Sequence, residues 1–389
     1  MRAGFSLLLD LTRIAAAVVV FLAHFSYDRL SGGWLEDMWA APFAHHAVIV
    51  FFVLSGLVIA YVASVREASL QRFVRARLVR LYSVVLPMIV LVPALDWIGH
   101  QWDPSLYDGW WFDGDDPLKR VLAAALFLHE SWWTSARYFS NGPYWSIAYE
   151  FWYYAAFGAL WFLAGIRRWL ALAAVTLAAG PKIALLFPVW LLGVGVWHLC
   201  RRYTMPPAAA AGLLAAAVAG YVLYVVTGAY QELEDAGLFL MTAAGVPAGD
   251  FQWSEPWLAY YVLGVLVAGG FIALHGLSDP LERLLAPAAG AIRWVAGATF
   301  TMYLMHYPLM HVIATVLPGE TEDPYRALAI LMLTLIGVFA IAAVTERRRD
   351  LFGSAYDYLV AKLAALAWLM GARVTPRRAA EPPLSKHIR

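Results

Sequence analysis

Cysteine and charge are what this sequence has least of. One cysteine, Cys200, in 389 residues excludes an internal disulfide framework and a multi-cysteine metal site. Charged residues make up 14%, where a soluble domain carries about a quarter. A surface of ordinary aqueous character is therefore excluded. The net charge of +1 leaves no bulk pull toward nucleic acid, and no nucleic-acid partner is expected. A removable leader is not expected either. The first apolar run follows only residues 1–4 and contains Asp10 and Arg13, so it reads as a first membrane span. No internal repeat and no second soluble domain are legible.

What is present is hydrophobic sequence, 62% of the chain. It is cut into runs of about 20 residues, the length a hydrocarbon layer of about 30 Å requires of a helix. The fold expected is all-α, a polytopic integral membrane bundle of about ten transmembrane helices. The expected spans are 5–27, 45–65, 81–99, 144–165, 169–179, 183–200, 207–230, 257–275, 292–317 and 325–344. Connections alternate in sign. One set is basic, led by Arg66, Arg72, Arg75, Arg77 and Arg80 and repeated at Arg167-Arg168, Arg201-Arg202 and Arg347-Arg348-Arg349. The other set is acidic, with Asp113, Asp115, Asp116, Glu232, Glu234 and Glu322 among its members. The positive-inside rule puts the arginine side, and both termini, in the cytoplasm. The aromatic stretch 100–143 is expected outside, interfacial or re-entrant. Residues 1–350 read as one membrane domain. Residues 351–389 read as a cytoplasmic C-terminal helix followed by a disordered basic tail from 373.

Ionisable groups inside spans cost about 2.5–3.5 kcal/mol on insertion scales, so each is a functional candidate. Arg13 and His24 are eleven residues apart, close to three turns, and Asp10 lies within about 60° of both. The three share one stripe of the first helix, with Arg13 and His24 about 16 Å apart along the axis. Arg13 reads as a snorkelling anchor or as a functional cation. His24 reads as a packing histidine or as a base. Ser146 and Glu150 share a face of the fourth span. An unpaired carboxylate there needs a cation or a proton, so Glu150 either fixes packing through an ion pair or orients a histidine or polar substrate. Thr299, Tyr303, His306 and Met310 form a polar stripe suited to a water-filled cavity or to interhelical hydrogen bonds. Pro308 frees a carbonyl beside His306. Arg72, Arg75, Arg77 and Arg80 suit anionic headgroups or the phosphates of a nucleotide-bearing donor.

These residues fall into a known pattern. Arg13 followed by His24 resembles the Arg-x10-His motif of the acyltransferase-3 membrane family. Phe51-Phe-Val-Leu-Ser55-Gly56-Leu is similar to that family's FFVLSGF signature. Arg77-Leu-Val-Arg80 resembles its Arg-x-x-Arg motif. Trp145-Ser146-Ile-Ala-Tyr-Glu150 and Thr301-Met-Tyr303-Leu-Met-His306-Tyr-Pro308 are similar to its WSLSxE and SYxLYLxHxP segments. All five stand in the family order and cover roughly residues 5–350. Two positions depart from the pattern. Ile14 replaces a frequent glycine, and Glu346 lacks the proline that usually follows two residues later, which argues against a role for Glu346.

The resemblance implies a membrane O-acyltransferase, and the orientation implies a bacterial inner membrane or its equivalent. It implies acyl-CoA as co-substrate, with acetyl-CoA foremost, no metal, and a carbohydrate or other hydroxyl acceptor. No SGNH-type hydrolase domain is seen, so a step needing one would fall to a separate partner. Joined to the residue reading, His24 is the general base and Glu150 orients it. Arg77 and Arg80 hold the donor phosphates, with Arg72 and Arg75 nearby and Arg13 at the entrance. Asp10, Trp145, Ser146, Tyr303 and His306 contact substrate. A secondary transporter or a non-catalytic sensor on the same scaffold would also bury ionisable groups. A transporter usually shows paired repeats.

Overall fold

The computed structural model describes residues 1–33 and 42–369. Among them there is no strand, only one isolated bridge between Tyr138 and Asn141. Each expected span overlaps a helix. The ten are α1 (Ala3–Phe25), α2 (Pro42–Val65), α3 (Leu70–Trp102), α4 (Trp145–Phe162), α5 (Gly165–Ala179), α6 (Pro181–Arg202), α7 (Pro207–Val226), α8 (Trp257–Gly276), α9 (Thr299–Val316) and α10 (Pro324–Val344). A further helix, α11 (Arg349–Leu369), follows. The expected basic tail lies outside the described residues.

Seven segments of the described chain are long and apolar enough to cross a membrane by length and composition. The group leaves out α4, α5 and α9. At 15 residues, α5 is about 22 Å long, short of the hydrocarbon thickness. The other two carry Ser146 and Glu150 on α4 and Tyr303 and His306 on α9. Apart from Ile313, Thr315 and Val316, every residue of α9 is buried. It is surrounded by α1, α3 and α10.

Two expected spans break. The 207–230 run ends at Thr227, because Gly228 adopts a left-handed φ of 73°, and a separate helix Ala229–Ala243 follows. The 292–317 run divides at Gly297-Ala298 into Ala289–Ala296 and α9. A fresh N-terminus exposes amides without helical partners. Here the Glu346 carboxylate, from beyond α10, accepts from the Thr301 N–H at 2.9 Å and the Thr301 hydroxyl at 3.1 Å. Glu346 is thus built into the start of α9, whatever the missing proline suggested.

The arginine stretch is helix rather than loop. Ser69 caps α3 by accepting from the Arg72 amide at 3.3 Å. The 33 residues of α3 extend about 50 Å, well beyond one hydrocarbon thickness. Its first turns therefore project outside the apolar layer and carry Arg72 to Arg80 on a rigid rod.

Small residues set the closest crossing, between α2 and α6. A Cβ at Gly56 would stand 2.0 Å from the Trp190 carbonyl oxygen, and one at Gly193 would stand 1.9 Å from that of Val53. In lipid, helices associate through such close packing rather than through expulsion of water. The crossing fixes Ser55, one residue before Gly56, in the wall of the site.

Candidate active site

The stripe on α1 forms as expected. Arg13 Nη1 stands 3.1 Å from Asp10 Oδ1, one turn away. His24, three turns further on, places its Nδ1 2.8 Å from the Val20 carbonyl oxygen. A carbonyl only accepts, so this nitrogen carries the ring proton and the basic lone pair of a neutral imidazole sits on Nε2. His306 repeats the arrangement on α9, with Nδ1 2.8 Å from the Met302 carbonyl. Its Nε2 has no hydrogen-bond partner among the described residues. The two imidazoles meet edge to face at 5.0 Å, and Tyr307 lies 4.8 Å from the His24 ring.

His24 lines a chamber of about 180 Å³ with Tyr27, His45, Trp145, Tyr303 and Tyr307. Toward the N-terminal end of α1 a second cavity, of about 70 Å³, is lined by Arg13, Ser55, Arg77, Arg80, Glu150 and Tyr154. Tyr303 borders both. Its hydroxyl donates to the Pro143 carbonyl at 2.9 Å and lies 2.7 Å from Ser146 Oγ. With both lone-pair and proton directions used, Tyr303 is a fixed partition between the two spaces. Beyond Arg13 and Arg80 a third cavity, of about 180 Å³, adds Asp10, Arg293, Glu346 and Arg349.

Of the five arginines expected to hold a donor, the structure brings three together. Arg13, Arg77 and Arg80 line the inner cavity. Arg72 is exposed and lines none of the cavities described above. Arg75 points to the opposite face of α3 and makes a bidentate pair with Asp357 of α11, at 2.7 Å in both arms. The spacing explains the split. Arg77 and Arg80 are three apart and share a face, whereas Arg72 and Arg75 are carried round to the outer side. Arg77 is itself paired with Glu67 at 2.5 Å.

Glu150 does not reach His24. Its Oε1 accepts from Ser55 at 3.0 Å and from the Tyr154 hydroxyl, at the arginine end of the site. The reason is depth: Glu150 lies one turn beyond Ser146, on the far side of the Tyr303 partition. The Val20 carbonyl, not a carboxylate, orients the imidazole. Trp145 lines the His24 chamber, and Ser146 lies against Tyr303.

Several site residues escaped sequence reasoning. Arg293 and Arg349 lie in basic stretches that resemble topology signals. Tyr154 follows Glu150 by one turn, a spacing that was legible but unremarkable among aromatics. Arg137 and Trp253 come from irregular connections and enter the outer side of the chamber. No periodicity marks such positions. Among the described residues no group of three or more His, Cys, Asp or Glu side chains is disposed to hold a metal ion.

A family model described as an acyltransferase domain matches residues 7–343. No curated protein and no solved structure matches the chain.

Proposed function

The chain belongs to the acyltransferase-3 family of membrane enzymes, and from that premise we propose that it moves an acetyl group from acetyl-CoA to a hydroxyl of a carbohydrate acceptor. The observation that carries the reading is the pair of unlike spaces on either side of Tyr303. One is lined by Arg13, Arg77 and Arg80, the other by aromatic rings and His24. Guanidinium groups suit the phosphates of a nucleotide-bearing donor. An apolar, aromatic chamber with a few polar groups suits a small organic acceptor.

The donor's phosphates lie at Arg13 and Arg80, with Arg77 sharing its charge with Glu67. The acyl-bearing arm runs along α1 toward His24. The acceptor hydroxyl comes to His24 Nε2, which takes its proton as the oxygen attacks the thioester carbonyl carbon. Collapse of the tetrahedral intermediate breaks the carbon–sulfur bond. The imidazolium returns the proton to the departing thiolate, so free coenzyme A and an ester leave and the base is regenerated. Glu150 acts at the donor end, balancing the arginine cluster. The arginine end faces the cytoplasm, the acceptor chamber faces outward, and the membrane is the inner membrane of a bacterium.

The test is thiol release from acetyl-CoA by purified protein, wild type beside His24→Ala. Release that disappears with His24 is the expected result. Turnover of His24→Ala at near the wild-type rate would sink the general-base assignment.

A further inference from the structure

The acceptor chamber continues outward into a cavity of about 300 Å³. The two spaces share Trp110, Arg137, Gly142, Trp145 and Trp253. One wall is aromatic: Trp145 and Trp253 stack at 5.2 Å with their planes 12° apart, and His45 leans on Trp253 at 5.5 Å. The opposite feature is the guanidinium of Arg137.

Among the described residues that line this space, one cation is left without an ion pair. Two carboxylates line the outer cavity, Asp113 and Glu130. Asp113 is already paired with Arg120. Glu130 is held by Lys182 at 2.7 Å and by the Ser135 hydroxyl at 3.0 Å. His129, also in the wall, is kept neutral at pH 7, because burial pushes its imidazole down to about 4. Arg137 has neither an ion pair nor a side-chain hydrogen bond among the described residues. Its guanidinium lies 5.0 Å from the Trp110 ring centroid. That ring contact uses none of its N–H donors as hydrogen bonds, so they remain for a planar anion. Arg29 adds a second cation behind it. That group is bound to the Tyr307 hydroxyl, 3.3 Å from His311 Nε2, and 4.0 Å over Trp111, with no carboxylate partner among the described residues. Asp113 acts on Arg137 only from a distance, and a largely enclosed cation without a direct carboxylate partner becomes favourable when an anionic ligand supplies that contact.

We infer that the acceptor is a sugar carrying an anionic substituent, and that Arg137 is the residue that selects it. The sugar ring rests against the Trp145–Trp253 wall, and its carboxylate or phosphate meets the free N–H donors of Arg137. The hydroxyl to be modified is thereby turned inward toward His24. This rests on the acyl-transfer reading only for the word acceptor; the site itself follows from the cation left without an ion pair. Arg137 touches no reacting atom. Its effect is on which substrate binds and how.

Isothermal titration of the purified full chain with glucuronate and with glucose tests the inference. The wild type should bind glucuronate at least about tenfold more tightly than glucose, the scale of one charge-assisted hydrogen bond. Arg137→Gln should bring the two sugars to equal affinity, and Arg137→Lys should retain most of the preference. Glucose 6-phosphate in a parallel arm distinguishes a carboxylate from a phosphate as the favoured group. Equal affinity of wild type for glucose and glucuronate, or no binding of any of the three sugars, overturns the inference. So does a preference that survives Arg137→Gln, or acetate binding as tightly as glucuronate, which would mark a general anion site. If Arg137→Gln does not fold, the wild-type comparison and Arg137→Lys decide. Thiol release from acetyl-CoA, measured on the same preparation, separates the two ideas. His24-dependent release without a charge preference removes this inference alone. A charge preference without release leaves the anionic-sugar site and removes the acyl-transfer reading.

Discussion

At the scale of single residues, the carboxylate of Glu150 does different work from the imidazole of His24. Glu150 bonds Ser55 and Tyr154 beside three arginines, and His24 is held by its own helix. Glu150→Gln removes the charge that offsets these arginines and should therefore tighten acetyl-CoA binding by about tenfold, about 1.4 kcal/mol, and leave the pH profile of kcat in place. A profile displaced by Glu150→Gln would show that the acid and the imidazole are coupled after all. His129 offers a pH test of stability. Its folded imidazole, pushed down to about 4 by burial, binds protons less readily than the same group in the unfolded chain, near 6.5. Its contribution is complete above about pH 6.5 and is lost as pH falls through about 4, on the order of 3 kcal/mol in all. Thermal unfolding midpoints at pH 7 and pH 5 should diverge more for wild type than for His129→Phe, which keeps the stack on Tyr144 but cannot titrate. The same drop in both proteins would reject this source of pH dependence. The stripe of Asp10, Arg13 and His24 was legible because helical periodicity alone places it. The partner of Glu150 was not, because a one-turn difference in depth is decided by packing of α4 against α2 and α9.

At the scale of elements, the ten-helix order follows from apolar run length: eight expected spans fall on one helix each, and 207–230 and 292–317 break. Breaks and extensions were less legible. A hydropathy profile sees α3 from about residue 81, where the apolar run begins. The Ser69 cap and the absence of glycine or proline start the helix eleven residues earlier. That earlier start decides which arginines face inward, which spacing within an assumed loop does not. The α2–α6 crossing makes a second point. The glycine of the Phe51–Leu57 motif serves close approach, since Gly56 and Gly193 each leave no room for a Cβ. Gly193→Ala should lower stability by about 1–3 kcal/mol, the usual cost of overpacking. It should also reduce turnover, because Ser55 moves with α2. A detergent-solubilised variant with an unchanged unfolding midpoint would contradict this account.

At the scale of the whole molecule, a basic end and an aromatic end are joined through a narrow polar centre, and the proposal requires them to face different compartments. Single-cysteine variants in a Cys200→Ser background read this directly. Leu118 and Leu284 are both well exposed, at 71% and 73%, and belong to opposite ends. Leu118→Cys should react with a membrane-impermeant maleimide on intact cells, and Leu284→Cys only after the membrane is opened. Labelling of both from outside would overturn the orientation. The alternating signs of the connections distinguish the two ends in the sequence; the chamber between them was not legible, because it is assembled from α1, α2, α4, α9 and irregular segments. The bond from His24 to the Val20 carbonyl has a bearing on assembly. It is complete within one turn of α1, which precedes α9 in the chain. The choice of which ring nitrogen will act as base is therefore made at membrane insertion, before α9 has been synthesised. Later helices supply the walls around a reactive group whose chemical form is already settled.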